Sequence, residues 1–334
     1  MATAIIPGVN ELLVPIPNNP LENTNVYLLR GDDGFLLIDT GWDSDLALRS
    51  LGKELEDAGA GFKDIKQIVV THAHFDHYGL VGKLKQLSKA KIYLHHGDQE
   101  IFRTRYAVTE EYMRQSEEWF RSNGVPGHEL PISRVPFGGL RLAGIPPQPD
   151  ISLSGGETIS TGIFDLKVIW TPGHSPGHIC LYEAKHKLLF SGDHVLPVIT
   201  PNISLSPRSD GNPLGDFLKS LELVRDLDVT TVLPAHENIF HDLPKRIDEI
   251  LHHHEVRNGE IIEALGSGDR TAFEISNYIT WMPQLGGVKF RDLMPGDQRA
   301  AVSETLAHLR AMVINSRVKV TTRNGIFHYQ RMGT

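Results

Sequence analysis

Three histidines and an aspartate crowd the run Thr71-His72-Ala73-His74-Phe75-Asp76-His77. His72 and His74 stand two apart, so in an extended segment both imidazoles project to one side. Asp76 and His77 follow where the chain would turn into a helix, and they offer two more ligands to a neighbouring position. Imidazoles and carboxylates at this density suit zinc or another borderline first-row metal. Burying so many rings beside an apolar strand with no metal would leave polar groups unpaired. Three further segments carry the same chemistry: Thr171-Pro-Gly-His174-Ser-Pro-Gly-His178, Ser191-Gly-Asp193-His194 and Pro234-Ala-His236-Glu237.

Each cluster sits at the end of a strand candidate. Gln67-Ile-Val-Val, Leu166 to Trp170, Lys187 to Phe190 and Thr231-Val-Leu-Pro all run directly into a His- or Asp-bearing loop. Functional groups on loops at the ends of buried strands are the usual layout of an α/β or sandwich enzyme. Val26 to Leu29, Phe35 to Thr40 and Lys91 to Leu94 read as further strands. Ser44 to Ala58 reads as a helix capped by Ser44. The spacing predicts a helix from Gln99 to Asn123, followed by a Pro- and Gly-rich stretch to Asp150. Residues 99–150 therefore read as a lid-like insertion, in which Tyr106, Tyr112, Trp119 and Phe120 either line a substrate pocket or pack the helix onto the body.

The composition changes near Lys245. Ile247 to Leu265, a segment opened by the capping box Thr271-Ala-Phe-Glu274, and Ala300 to Ser316 read as three helices. A hairpin turning at Asn324-Gly325 closes the chain. We divide it into a catalytic domain over 1–244 and a winged-helix-like domain over 245–334. Charge divides unevenly too: the net charge is −8, with −9 before His241 and +1 after it. That tail balance is poor support for nucleic-acid binding, which rests largely on phosphate neutralisation. One cysteine among 334 residues excludes a disulfide framework and any multi-cysteine metal site, while 17 histidines turn attention to nitrogen and oxygen ligands. No apolar run approaches a spanning helix and no leader is visible, so we expect a cytoplasmic protein with no membrane partner.

In combination and in order, these motifs resemble the metallo-β-lactamase-fold superfamily, from about Asn25 to Glu237 and including Leu37-Ile-Asp39-Thr-Gly41. The resemblance implies an α/β (α+β) fold, a four-layer αββα metallo-β-lactamase sandwich with a small C-terminal winged-helix-like helical domain. It implies that His72, His74 and His174 hold one metal, that Asp76, His77 and His236 hold a second, and that Asp193 bridges them. Asp39 matches a carboxylate supporting the ligand loop, and His178 and His194 would touch ligands or substrate. Of the other histidines, His95-His96 reads as structural and His252-His-His254 as helix surface.

The chemistry implied is hydrolysis by a hydroxide bridging two zinc ions, with iron or manganese as other occupants and Asp76 orienting the nucleophile. An acidic bridge, His at 74 and only 42 residues between Asp193 and His236 set the chain apart from three branches: the true β-lactamases, the redox di-iron enzymes and the domain-inserted nucleases. The tail resembles that of the β-lactamase-like protein 2 and glyoxalase II-like branch. We therefore expect cleavage of a small ester, thioester or lactone by a homodimer, with RNA cleavage as the alternative and a silent binding protein as the third. Gly173-His174-Ser175-Pro176-Gly177 also matches a nucleophile elbow. The residue after the serine is a proline without an N–H, however, so Ser175 is not read as a nucleophile.

Overall fold

The computed structural model describes residues 2–99, 110–129, 147–207, 209, 211–282 and 286–332. The chain forms two compact units, the first drawn from the described residues within 1–107, 142–201 and 220–247. The second is drawn from those within 108–141, 202–219 and 248–334.

Two sheets build the first unit. One has seven strands in sequence order: β1 (Thr3–Ile6), β2 (Val9–Pro15), β3 (Asn23–Arg30), β4 (Phe35–Ile38), β5 (Ile65–Val69), β6 (Lys91–His95) and β7 (Ile151–Leu153). Its first four strands pair antiparallel, and β4 through β7 pair parallel. The other sheet comprises β8 (Thr158–Ser160), β9 (Asp165–Trp170), β10 (Ile179–Glu183), β11 (Leu188–Gly192) and β12 (Thr231–Pro234), in the order 12-11-10-9-8.

Alternation along the strands separates the cores. Tyr27, Leu29, Leu36, Ile38 and Val69 face Leu166, Val168, Ile179, Leu181 and Phe190 between the sheets. The opposite faces of the same strands, through Val26, Leu28, Leu37, Ile68 and Ile92, take Leu51 and Leu55 of helix Asp45–Asp57 and Val81 and Leu84 of helix Val81–Ser88. Period-2 burial on both faces is what places a sheet between layers. On the far side of the second sheet Cys180 and Leu189 are buried, and the Ser220 hydroxyl donates to the Pro172 carbonyl. Ser44 caps its helix as its position predicts, accepting from the Ala47 amide at 3.0 Å.

The second unit has its own apolar core. Phe120 and Val125 pack there with Ile261, Phe273, Ile275, Phe290, Val302, Leu306 and Leu309. Phe120 is thus a core residue and not a pocket residue, and Trp119 packs against the same cluster. Its helix spans Glu110–Ser122, one residue short of the expected end at Asn123; residues 100–109 of the expected Gln99–Asn123 helix, with Tyr106, and residues 130–146 of the stretch from Gly124 to Asp150 lie outside the described residues. The capping box forms, with Thr271 and Glu274 each accepting from the other's amide. Three two-residue strands, β13 (Asp269–Arg270), β14 (Thr280–Trp281) and β15 (Val288–Lys289), flank the helix it opens. Helix Pro295–Ile314 then leads into β16 (Val318–Arg323) and β17 (Ile326–Arg331), joined by Asn324 and Gly325, both at positive φ as a tight hairpin turn requires.

Candidate metal centre

Parallel strands deliver the site. The chain leaves β4 at Asp39, β5 into 71–77 and β11 into 191–194, while β9 and β12 lead to His174 and His236. Asp76 and His77 lie in the single helical turn Phe75–Tyr78, for which His74 is the N-cap, so the switch from extended chain to helix splits the motif into two facing sets. That turn is pinned from outside: Thr24 donates to the Asp76 carbonyl at 3.0 Å and Thr40 to the His77 carbonyl at 2.6 Å.

The structure brings all seven proposed ligands into two adjacent groups, His72, His74, His174 and Asp193 in one and Asp76, His77 and His236 in the other. Asp193 lies between them. Its Oδ2 is 3.7 Å from His72 Nε2 and 3.4 Å from His174 Nε2. Its Oδ1 is 3.5 Å from His77 Nε2 and 3.4 Å from His236 Nε2. Asp76 faces the second group alone, with Oδ2 3.4 Å from His236 Nε2 and Oδ1 3.7 Å from His77 Nε2.

Partners on the far side of two of the rings fix their tautomers. His77 Nδ1 lies 2.8 Å from Asp39 Oδ2 and His236 Nδ1 lies 2.9 Å from the Asn23 carbonyl. Both partners can only accept, so Nδ1 carries the hydrogen and, in the neutral ring, Nε2 presents its lone pair inward. Among the described residues, Nε2 of His72, His77 and His236 and Oδ1 of Asp193 are buried with no hydrogen-bond partner. Orphaned polar atoms that converge are costly in a protein interior, and a cation is what satisfies them together.

Electrostatics agree with that fit. Burial, then the neighbouring His77 and His74, push the His72 ring well below the ordinary histidine range. Burial also opposes charge on His77, but Asp193, Asp76 and Asp39 outweigh it and raise the ring well above that range. Asp193 is held well below the usual carboxylate range: burial works against it, but His236 and His77 prevail. His77, drawn up by three carboxylates, and Asp193, held down by the rings, mark the side of the cavity that favours positive charge, while burial keeps His72 neutral.

The supporting residues separate by role. Asp39 accepts from His77 and, at 2.8 Å, from the Thr71 amide, and its backbone sits at φ 60° in the left-handed region. His178 accepts from the Asp193 amide at 3.1 Å and turns Nδ1 toward Thr171 Oγ1 at 2.8 Å, so it orients the central carboxylate's backbone. His194 belongs to neither group; its ring tilts against His178 at 5.9 Å. Ser175 is 2% exposed and donates to Asp98, which leaves it no nucleophilic role. Asp98 is not legible in the sequence, because an isolated aspartate past a strand carries no spacing signal. His95 is buried and stacks on Trp170 at 5.2 Å. His254, expected on the helix surface, is buried instead, because its ring packs against His308 within the second unit.

A family model described as Metallo-beta-lactamase superfamily matches residues 19–236. An uncharacterized protein of Aquifex aeolicus (strain VF5) is 35% identical over 144 residues, 42% of this chain and 56% of that protein. The acyl-coenzyme A thioesterase MBLAC2 of Gallus gallus is 34% identical over 233 residues, 65% of this chain and 73% of its own length. Among solved structures, a metallo-beta-lactamase family protein from Thermus thermophilus superposes with a TM-score of 0.81 at 31% identity, covering 98% of this chain and 100% of the other. Among the described residues, no helix is long and apolar enough to cross a membrane.

Proposed function

The chain belongs to the metallo-beta-lactamase superfamily, and from that premise we propose that it cleaves a carboxylic thioester or ester at a two-metal centre. The observation carrying this reading is the division of the Asp193 carboxylate, one oxygen toward each group of histidines. His72, His74 and His174 would hold one ion, Asp76, His77 and His236 the other, and Asp193 both. Zinc suits the donor set, as would iron or manganese. Ions bound there would supply an acidified water as nucleophile and a Lewis acid for the acyl oxygen.

The chain's own residues do the rest. His77 and His236 are locked by Asp39 and the Asn23 carbonyl, so they need no rearrangement. Asp76 is the member of its group that reaches solvent, with a side chain 17% exposed against 0% for His77 and 1% for His236. It is the group placed to orient an attacking water and to accept its proton at a carboxylate oxygen. A thiol of pKa about 8.5 departs without a dedicated acid. The name of the Gallus gallus relative, an acyl-coenzyme A thioesterase, supports a thioester over the other acyl substrates.

RNA cleavage remains the second reading. It draws on the basic residues of the tail: Arg310, Arg317, Lys319 and Arg323 are exposed, but Arg323 is paired with Asp269. The helices and terminal hairpin of the second unit support a winged-helix-like reading of 245–334, and we place the protein in the cytoplasm as a homodimer. Metal analysis should find close to two ions per chain, and an acyl thioester, a lactone and single-stranded RNA assayed side by side should show the thioester turned over fastest. A folded protein that binds no transition metal would sink the whole reading. Cleavage of RNA alone, weakening steeply with salt, would replace it with the second.

A further inference from the structure

We propose that Asp98 is a positioning residue that holds the His72, His74 and His174 group in place, as Asp39 holds the second group; this rests on the two-metal reading. Asp98 is fully buried just beyond β6. Its Oδ2 accepts from the Ala73 amide at 2.7 Å and from the Ser175 hydroxyl at 2.9 Å, and its Oδ1 accepts from the Gly177 amide at 2.6 Å. Ala73 is the residue between His72 and His74, and Ser175 directly follows His174. One carboxylate thus ties together the two loops that carry three histidines of the first group. Three short hydrogen bonds converge on this one carboxylate, and they come from backbone and hydroxyl rather than from the rings.

The packing around this carboxylate is built for the approach. A Cβ on Gly177 would stand 2.4 Å from the Asp98 amide nitrogen, and one on Gly97 would stand 2.8 Å from the Pro176 carbonyl oxygen. Two glycines let segments 97–98 and 176–177 meet backbone to backbone, which is how a short side chain reaches both loops. Asp39 is the counterpart, binding His77 Nδ1 and the Thr71 amide; it reaches His72 only through the Thr71 hydroxyl, 3.1 Å from His72 Nδ1. The arrangement assigns one buried carboxylate to each metal position.

The test is zinc titration of the metal-free, full-length protein against a competing chelator, with the fold followed by circular dichroism. Wild type should take up two tight equivalents; if it does not, the two-metal reading fails, whatever Asp98 does. Given two, Asp98→Asn should weaken one equivalent by roughly 10- to 100-fold and leave the other within about threefold, the size expected for partners behind metal ligands. Adding Asp98→Asn to His236→Ala, which spares the first group, should weaken the remaining equivalent by the same factor. Asp39→Asn should weaken chiefly the opposite equivalent. Both equivalents unchanged, or both weakened alike, in Asp98→Asn would overturn the assignment. Should Asp98→Asn not fold, Ser175→Ala removes one of the three bonds. It should weaken the same equivalent several-fold, and no change there would equally overturn the proposal.

Discussion

In the first unit the rings of His72, His77 and His236 turn Nε2 toward the carboxylates of Asp193 and Asp76, whereas in the second the buried rings of His254 and His308 turn toward each other. His308 Nδ1 donates to Asn258 Oδ1 at 2.8 Å, and its Nε2 takes the Nδ1 hydrogen of His254 at 3.3 Å. The partners in this chain of bonds are an amide and a second ring rather than a carboxylate, and Arg257 and His253 add positive charge beside it. Burial pushes His254 down to about 3, and burial with His254 and Arg257 holds His308 well below the ordinary range. Both clusters bury imidazoles, yet only the first surrounds their lone pairs with anions. What makes a histidine cluster a metal centre is the charge it faces, not how densely the rings are packed.

The sharpest way to break this contrast is to delete one ring from each cluster. His72→Ala should abolish metal uptake at the first position and lower turnover by more than about a hundredfold, beyond the loss expected for an outer partner. His308→Ala should leave metal content unchanged and cost about 2–3 kcal/mol of stability in denaturant titration, from the cavity and the stranded Asn258 and His254 groups. If His308→Ala lost metal instead, the distinction between the clusters would collapse.

A pH titration sharpens the same contrast. His254 and His308 stay neutral in the fold and take up protons only on unfolding. Above pH about 6.5 they therefore add no pH dependence, and as the pH falls from there toward about 3 the unfolded chain is favoured. The slope is up to about 1.4 kcal/mol per pH unit for each ring, and denaturation midpoints at pH 7 and 5 should show it shrinking in a His254→Phe, His308→Leu variant. An unchanged slope would mean the rings are charged in the fold. The smallest effect expected is local: Thr271→Ala should cost about 1 kcal/mol by removing the cap, with zinc affinity untouched.

Sequence made the first cluster legible because its ligands keep a fixed order and sit at strand ends, where chain direction alone gathers them. The caps at Ser44 and Thr271 and the Asn324-Gly325 turn were legible for the same local reason. Asp98 was not, since its partners lie 25, 77 and 79 residues away and nothing near it hints at them. His254 misled because three consecutive histidines look solvated, while its partner His308 is 54 residues distant. Phe120 read equally well as lid or core; a core built from 110–129 together with 261–329 is not visible in either stretch alone. The β1–β2 hairpin is hard to read from sequence because Pro7 interrupts the apolar pattern at the turn itself.

Asp39 returns with a different meaning if the molecule is viewed as something to be improved. Its left-handed backbone, at φ 60°, is a conformation glycine would adopt with less strain, by about 1 kcal/mol. Asp39→Gly would relieve that strain, but it would strip His77 and the Thr71 amide of their buried acceptor in the same step, a loss larger than the gain. Engineering this scaffold for durability should hold that position fixed, because the fold spends part of its stability there on keeping one ring aimed.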